Sequence, residues 1–470
     1  TSNANRKCTG CCIMFNINFN FLKGLHQPAP RYTSYPTIVD WESSSDYGYT
    51  ALERLAQEQD PLSLYFHIPF CQSMCLYCGC TVVLNRKAEI VDHYIETLIQ
   101  EMRLAFSLLG GKKPVSRIHF GGGTPSRLSR AQFERLFTHI HRFFDLSNIE
   151  ELAIEFDPRS LREDADKPLF LHNLGFNRVS LGIQDTQWEV QEAVRRRQSY
   201  EESLLAYQLF RDLKFTGINI DLIYGLPKQT QSSFKQTIEH ILDMRPDRLA
   251  LFSFAHVPWA KPHQKALRTK DLPSMEEKFA IYSQSRHTLI QEGYQAIGLD
   301  HFSLPDDPLT IALKNKTLIR NFQGYSLPPE EDLLGFGISA TSFIRGIYLQ
   351  NVKDLREYSE TIQAGKLATV KGKILSQDDK TRKWVIHTLM CSFSLSKLEF
   401  EQRFHERFDR YFADSYDRLC GMESAGLIRQ DSSSLQVTPL GELFVRVIAT
   451  AFDHYFLKNI VEKPLFSKSI

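Results

Sequence analysis

The sequence predicts an α/β fold: a partial (β/α)6-type parallel barrel core with an N-terminal arm and a small, mostly helical, winged-helix-like C-terminal domain. Three observations predict it. From about Pro61 to about Leu299, short strand-like runs alternate with helix-like segments, and repeated βα units imply a parallel sheet, either open and doubly wound or a full or partial barrel. After about Lys371 the rhythm stops, and helical patterns lead into a short hairpin. Unusual segments recur just after the strand candidates, where the chemistry of such folds belongs.

The strand candidates are Leu62 to Ile68, Val115 to Phe120, Leu152 to Phe156, Arg178 to Leu181, Ile218 to Tyr224, Arg248 to Phe254 and Tyr294 to Leu299. Between them Val91 to Leu109, Ala131 to Phe144, Tyr200 to Leu213, Ser233 to Met244 and Met275 to Glu292 carry apolar residues at helical spacing. Helical patterns return at Thr381 to Met390, Lys397 to Phe412 and from Leu440, with hairpin strands near Leu427-Ile428 and Leu435 to Val437 around a Ser-rich turn. The expected division is a flexible extension over 1–30, a catalytic domain with a covering arm over 31–370, and a helical domain over 371–470. Arg31 to Thr37 reads as an extended, aromatic arm.

Charge narrows the function classes. In 470 residues, 56 Lys plus Arg balance 55 Asp plus Glu, so nothing calls for a nucleic-acid or anionic-membrane partner. No stretch approaches the roughly 20 apolar residues of a membrane span, and the start lacks signal-peptide regions, so a cytoplasmic location is expected. Nine cysteines, an odd and clustered set, do not make a disulfide framework. Cys391 and Cys420 stand alone and read as ordinary packing, while Cys8, Cys11 and Cys12 lie in the expected flexible start.

Cys71, Cys75 and Cys78 carry the chemistry. Three thiolates in a CxxxCxxC spacing can ligate three irons of a cubane and leave the fourth iron open. A zinc site is the rival, but structural zinc takes four closed ligands, and Cys80 follows Cys78 by only two positions. Gly121-Gly122-Gly123-Thr124-Pro125 follows the second strand, Glu155 and Asp157 close the third, Ser180 to Gln184 follow the fourth, Asp221 to Pro227 the fifth and Ala255-His256 the sixth. A glycine run alone is a tight turn; next to the cysteine triad it suggests close approach of the backbone to a ligand.

At these residues the sequence resembles the radical S-adenosylmethionine superfamily. Arg31 to Thr37, Tyr65 to Cys71, Cys78-Gly79-Cys80, Glu155 to Arg159, Gly175 to Arg178, Gly182 to Asp185, Asn219 to Gln229, Asp300-His301-Phe302 and Asn321 to Tyr325 together resemble the oxygen-independent coproporphyrinogen III oxidase family. The resemblance implies conversion of two propionates of coproporphyrinogen III to vinyl groups, giving protoporphyrinogen IX in haem biosynthesis. It implies a 4Fe-4S cluster on Cys71, Cys75 and Cys78, and two molecules of S-adenosyl-L-methionine.

Carried over residue by residue, Tyr65, Gly122, Glu155 and Thr341 match positions around the cluster-bound S-adenosylmethionine. Tyr77, Gly123, Thr124, Gln184, Arg196, Asp221 and Ala255 match positions around the second. Tyr65 and Cys80 are the catalytic candidates, and Arg31 and Arg159 the candidates for positioning substrate carboxylates. Three residues depart from the family: Tyr77 where Phe is common, Thr81 where Asn is usual, and Thr341 in place of an aliphatic residue. The implied partners are coproporphyrinogen III and an electron donor such as a flavodoxin or ferredoxin system, with the protein a monomer. The rival functions are a haem-binding chaperone on the same core and a haem-degrading radical methyltransferase; Cys80, the arm and residues 371–470 favour the oxidase.

Overall fold

The computed structural model describes residues 24–25, 27–85, 87–328 and 332–458. Cys8, Cys11, Cys12 and most of the expected 1–30 extension lie outside these residues. Six strands, β1 (Leu62–Ile68), β2 (Lys113–Gly122), β3 (Glu151–Phe156), β4 (Arg178–Gln184), β5 (Gly217–Tyr224) and β6 (Arg248–Ser253), pair in parallel in chain order. Helices Ala88–Leu109, Arg130–Phe143, Lys167–Asn173, Tyr200–Asp212 and Gln231–Met244 connect them. Several of these starts are fixed by capping boxes: Ser129 with Gln132, Ser199 with Glu202 and Thr230 with Ser233 each satisfy two orphan amides.

Period-two alternation decides which side chains face inward. In β4, Val179, Leu181 and Ile183 are buried under the helices, while Arg178, Ser180, Gly182 and Gln184 face an internal cavity. The same alternation turns Asn219, Asp221 and Ile223 of β5 and Glu151, Ala153 and Glu155 of β3 inward. Beneath the outer faces, Phe120 touches Phe66, Phe133, Phe137 and Phe176. Burying a side chain of this kind is worth about 1.5–3 kcal/mol.

Two edges differ from expectation. Gln295–Gly298 is not a further parallel strand beside β6: it pairs antiparallel with His301–Ser303, which pairs antiparallel with β6. The cause is a tight reversal at Leu299, φ +45°, since parallel pairing needs a crossover of a dozen residues or more. The added parallel strand lies at the opposite edge, where Asp332–Phe336 pairs with β1. Among the described residues the two ends of the sheet do not pair, so the barrel is partial.

Beyond Asp332–Phe336 the sheet continues antiparallel through Thr341–Ile344, Ile347–Asn351 and Thr369–Ile374. The last strand therefore runs a few residues past the expected boundary at 370. Helix Gln377–Ser392 follows, then Lys397–Phe404 and Phe408–Tyr411, and a three-stranded antiparallel sheet ordered Ser394–Ser396, Ser434–Val437, Ile428–Gln430. The single helix expected over Lys397 to Phe412 is broken at His405, φ +57°. The break lets Phe408 and Phe412 fold back onto Phe400. No helix among the described residues is long and apolar enough to cross a membrane.

The arm is built into the interior. Ala29, Tyr32 and Tyr35 are buried in one hydrophobic cluster with Ile386, Leu389 and Phe452. Tyr32 Oη donates to Asp453 Oδ2 at 3.0 Å, the His454 amide donates to Tyr35 Oη at 3.2 Å, and Arg31 forms an ion pair with Asp300. Ala29, assigned from sequence to the flexible extension, is thus already part of the packed arm.

Candidate active site

A cavity of about 1130 Å³ occupies the barrel interior, lined from the first residues of strands β3, β4 and β6 to the loops past the strand C-terminal ends. Cys71, Cys75 and Cys78 line it with Tyr65, Tyr77, Cys80, Gly122, Gly123, Thr124, Glu155, Gln184, Arg196, Asp221 and Thr341. Of the residues singled out in the sequence, Ala255 and Arg31 are off this wall; the Ala255 carbonyl accepts from Gln264 Nε2 at 3.2 Å.

The cysteine loop is held by main-chain contacts. Cys78 N donates to Cys75 O at 3.0 Å, and Leu76 N to Val194 O at 3.0 Å. The segment after β6 covers the loop: His263 Nε2 donates to Cys78 O at 2.9 Å and Lys261 Nζ to Cys80 O at 3.0 Å. Sequence reading missed both, because nothing in local periodicity shows which carbonyls a distant loop will meet.

Among the described residues no three His, Cys, Asp or Glu side chains gather closely enough for a single metal ion. A tetrahedral Zn–S₄ site would bring sulfurs to within about 4 Å of one another. A cubane spreads its thiolates over different irons and can leave one iron open, and Cys71, Cys75 and Cys78 on one cavity wall offer the three thiols such a cluster takes. The thiols still feel one another: burial, with Cys78 and Cys75 adding, pushes Cys71 up to about 11, although Thr124 Oγ1 lies 3.3 Å from its Sγ. A hydrogen bond from Cys80 lowers Cys78 against the effect of burial, and the same contact, with burial, raises Cys80.

The glycine tract is small because its neighbours are close. A Cβ on Gly123 would lie 2.6 Å from the Pro69 carbonyl group, and one on Gly122, at φ +117°, 2.6 Å from the His67 ring. His67, also missed from sequence, bridges two site elements. Its Nε2 lies 2.9 Å from Thr81 O, which only accepts, so Nε2 carries the proton and Nδ1 accepts from Tyr65 Oη at 3.0 Å. Glu155 accepts from the Gly122 amide at 3.1 Å and faces His119 Nε2 at 3.6 Å. Burial would raise its carboxyl, but His119 and that amide hold it below the usual range.

Deeper in, Asp221 accepts from Ser180 Oγ and Asn219 Nδ2, both at 2.8 Å; burial nevertheless pushes it up to about 6. Asp157 is the charge centre of the opposite wall. Arg159 grips it through Nε at 3.0 Å and Nη2 at 2.6 Å, and Arg196 Nη2 lies 3.6 Å away. Against burial, these two arginines hold the Asp157 carboxyl far below the ordinary range. Both carboxylate-positioning candidates are therefore engaged within the protein, Arg159 on Asp157 and Arg31 on Asp300.

Comparison with known proteins accounts for this arrangement. The radical SAM superfamily model matches residues 65–241, and the HemN C-terminal domain model matches residues 375–444. The oxygen-independent coproporphyrinogen III oxidase of Synechocystis is 40% identical over 455 residues, 96% of this chain and 97% of its own length. The chain belongs to the oxygen-independent coproporphyrinogen III oxidase family. The Escherichia coli family member is 40% identical over 443 residues, covering 94% of this chain and 96% of its own. The solved Escherichia coli coproporphyrinogen III oxidase, described as a radical SAM enzyme, superposes with a TM-score of 0.87 at 38% identity, over 94% of this chain and 100% of that one.

As a coproporphyrinogen III oxidase family member, this chain accommodates its departures in different ways. Thr81 contributes its main-chain carbonyl to His67, a group that any residue supplies. The Tyr77 hydroxyl accepts from Arg196 Nη1 at 2.9 Å. Thr341 lines the cavity at the start of its strand.

Proposed function

We propose that this protein carries out the oxygen-independent oxidative decarboxylation of two propionates of coproporphyrinogen III to vinyl groups, yielding protoporphyrinogen IX. The observation that carries this reading is the convergence on one cavity of three unpaired-in-sequence motifs: the cysteine triad, the glycine tract with Tyr65 and Glu155, and the Gln184, Arg196 and Asp221 group. Pockets for single small ligands run from about 300 to 1,000 Å³; a cavity of about 1130 Å³ has room for more than one.

In this reading Cys71, Cys75 and Cys78 hold a 4Fe-4S cluster. Reduced by one electron, that group with S-adenosylmethionine would supply a 5′-deoxyadenosyl radical able to take a hydrogen atom from the propionate β-carbon; loss of carbon dioxide, with the one released electron passing to an external acceptor, would complete the vinyl group. Tyr65, Gly122, Glu155 and Thr341 surround the first S-adenosylmethionine. Tyr77, Gly123, Thr124, Gln184, Arg196 and Asp221 surround a second, with Ala255 behind them. The Asp221 carboxylate suits ribose hydroxyls, and the glycines admit backbone close to a ligand. Tyr65, its hydroxyl oriented by His67, and Cys80, a thiol surplus to three ligands, act on the reacting groups. The barrel walls keep water and stray carbon–hydrogen bonds from the reactive carbon.

The same proposal makes 31–370, with the strand that runs on to Ile374, the catalytic unit, and the helical region from Gln377 a packing domain that anchors the arm. It places the enzyme in the cytoplasm as a monomer, reduced by a flavodoxin or ferredoxin system. Anaerobic incubation of cluster-loaded, reduced protein with S-adenosylmethionine and coproporphyrinogen III tests it. Expected products are protoporphyrinogen IX and more than one 5′-deoxyadenosine per tetrapyrrole. Formation of 5′-deoxyadenosine with coproporphyrinogen III unchanged would sink the reading in favour of a haem-handling activity.

A further inference from the structure

Along Val194 to Gln198 the side chains alternate: Arg195 and Arg197 are exposed, while Val194, Arg196 and Gln198 are buried. Arg195 and Arg197 stand at φ +58° and +49°, left-handed conformations that residues bearing a β-carbon seldom adopt. Between these two reversals Arg196 turns inward to Asp157, and its neighbours remain outside on the cavity wall.

The cations differ in what they have left to offer a ligand. Arg196 donates from Nε to Gln198, from Nη1 to Tyr77 and from Nη2 to the Gly182 carbonyl. Arg127 and Arg162 on the same wall are paired with Glu163 and Glu202. Arg195 and Arg197 have neither a carboxylate nor a hydrogen-bond acceptor for their guanidinium groups among the described residues. An exposed arginine is by default a solvated surface charge. What sets these two apart is that both line the cavity that holds Cys71 and Tyr65, and that both are displayed by unfavourable backbone.

We propose that Arg195 and Arg197 form a carboxylate-receiving pair at the cavity mouth, which holds the tetrapyrrole by propionates that survive in the product. The inference rests on the function proposed above and deepens it. Propionates undergoing conversion must present their β-carbon at the Cys71 and Tyr65 end, so the carboxylates nearest solvent are those retained. A guanidinium fork meets a carboxylate through two parallel hydrogen bonds and so fixes direction as well as position. Two such anchors on one rim set the rotation of the macrocycle, and with it which propionate faces the reactive carbon. An acidic electron-donor protein is the other occupant that two exposed cations would suit. The concave setting favours the small ligand.

The test compares cluster-loaded wild type with the Arg195→Gln/Arg197→Gln double variant, and with the two Arg→Lys single variants. Equilibrium titration uses coproporphyrin III, the oxidised and unreactive form of the substrate, and separately its tetramethyl ester. Turnover uses dithionite as reductant. The double variant is expected to bind the free acid about tenfold more weakly, to bind the ester as wild type does, and to show a rise in KM for coproporphyrinogen III that exceeds its fall in kcat. Iron content stays at the wild-type level, and each Lys variant retains part of the affinity. Equal binding of the free acid by wild type and double variant overturns the pair. So does an equal loss for the ester, a rise in KM for S-adenosylmethionine in place of the tetrapyrrole, or a defect that appears only when a protein donor replaces dithionite. Wild-type protein that neither binds nor converts the tetrapyrrole would sink the underlying function, a result distinct from an active wild type with an indifferent double variant.

Discussion

Arg196 reaches across 119 positions of sequence to donate to the Tyr77 hydroxyl at 2.9 Å, tying the cysteine loop to the segment after β4. Both partners are buried or half-buried. Tyr77→Phe removes this acceptor and leaves Arg196 Nη1 only the weaker contact to Cys75 Sγ at 3.9 Å, at a cost of about 1 kcal/mol. The expected result is wild-type iron content with a KM for S-adenosylmethionine raised about three- to tenfold. An unchanged KM would show that the tie does not shape the cofactor site.

Replacing Cys71, Cys75 or Cys78 by Ala is expected to abolish the cluster, read as iron and sulfide content, along with 5′-deoxyadenosine formation. Cys80→Ala keeps the cluster and loses most decarboxylation. If iron content in Cys80→Ala fell in step with activity, Cys80 would have to be counted as a ligand.

Arg31→Met leaves Asp300, 8% exposed, without its cation. His301 Nδ1 stays 3.0 Å from its Oδ1, so the loss is smaller than that of an uncompensated buried charge. The variant should melt earlier, and proteolysis should cut near Ala29 to Thr37 where the wild type resists. Equal protease resistance would mean that Tyr32, Tyr35 and their partners hold the arm unaided.

Lys278 offers a pH-dependent test. Its Nζ donates to Phe254 O at 2.7 Å over the Tyr224 ring, and burial, with Arg446 nearby, lowers it to about 7. Between about pH 7 and the unfolded value near 10.4, the folded state binds fewer protons than the unfolded, so this group's contribution to stability rises with pH through that window. Lys278→Met removes the dependence. Denaturation at pH 7 and pH 9.5 should show the variant gaining relative to wild type at the lower pH. A difference that stays constant across this range would mean the buried amine does not titrate there.

Local signals were legible in the sequence. Leu62 to Ile68 is one strand as expected, and the cysteine triad lies in a single loop whose spacing can be read directly. Rim segments were placed because each follows its own strand, and chain order alone fixes that. Long-range choices were not legible. Nothing near Gln295 shows that Leu299 will reverse the chain, and Asp332–Phe336 is too short to display a period before it meets β1. Arg159 read as a free cation because its partner Asp157 could equally have faced solvent. His67 gained its role only when Tyr65 and Thr81 were folded to either side of it.

Two of the arm's anchors lie far along the chain, with Tyr32 bonded to Asp453 across 421 positions and Tyr35 to His454 across 419. Contacts so distant in sequence form late, because a long loop must close before they gain anything. During synthesis the arm emerges before these two partners and waits until they have followed. The barrel strands, paired between neighbours in chain order, have no such wait. The fastening of Tyr32 and Tyr35 thus reports that the C-terminal helices have arrived. A chain interrupted before Asp453 would carry every cavity-lining cysteine and still leave the Tyr32 hydroxyl without its carboxylate.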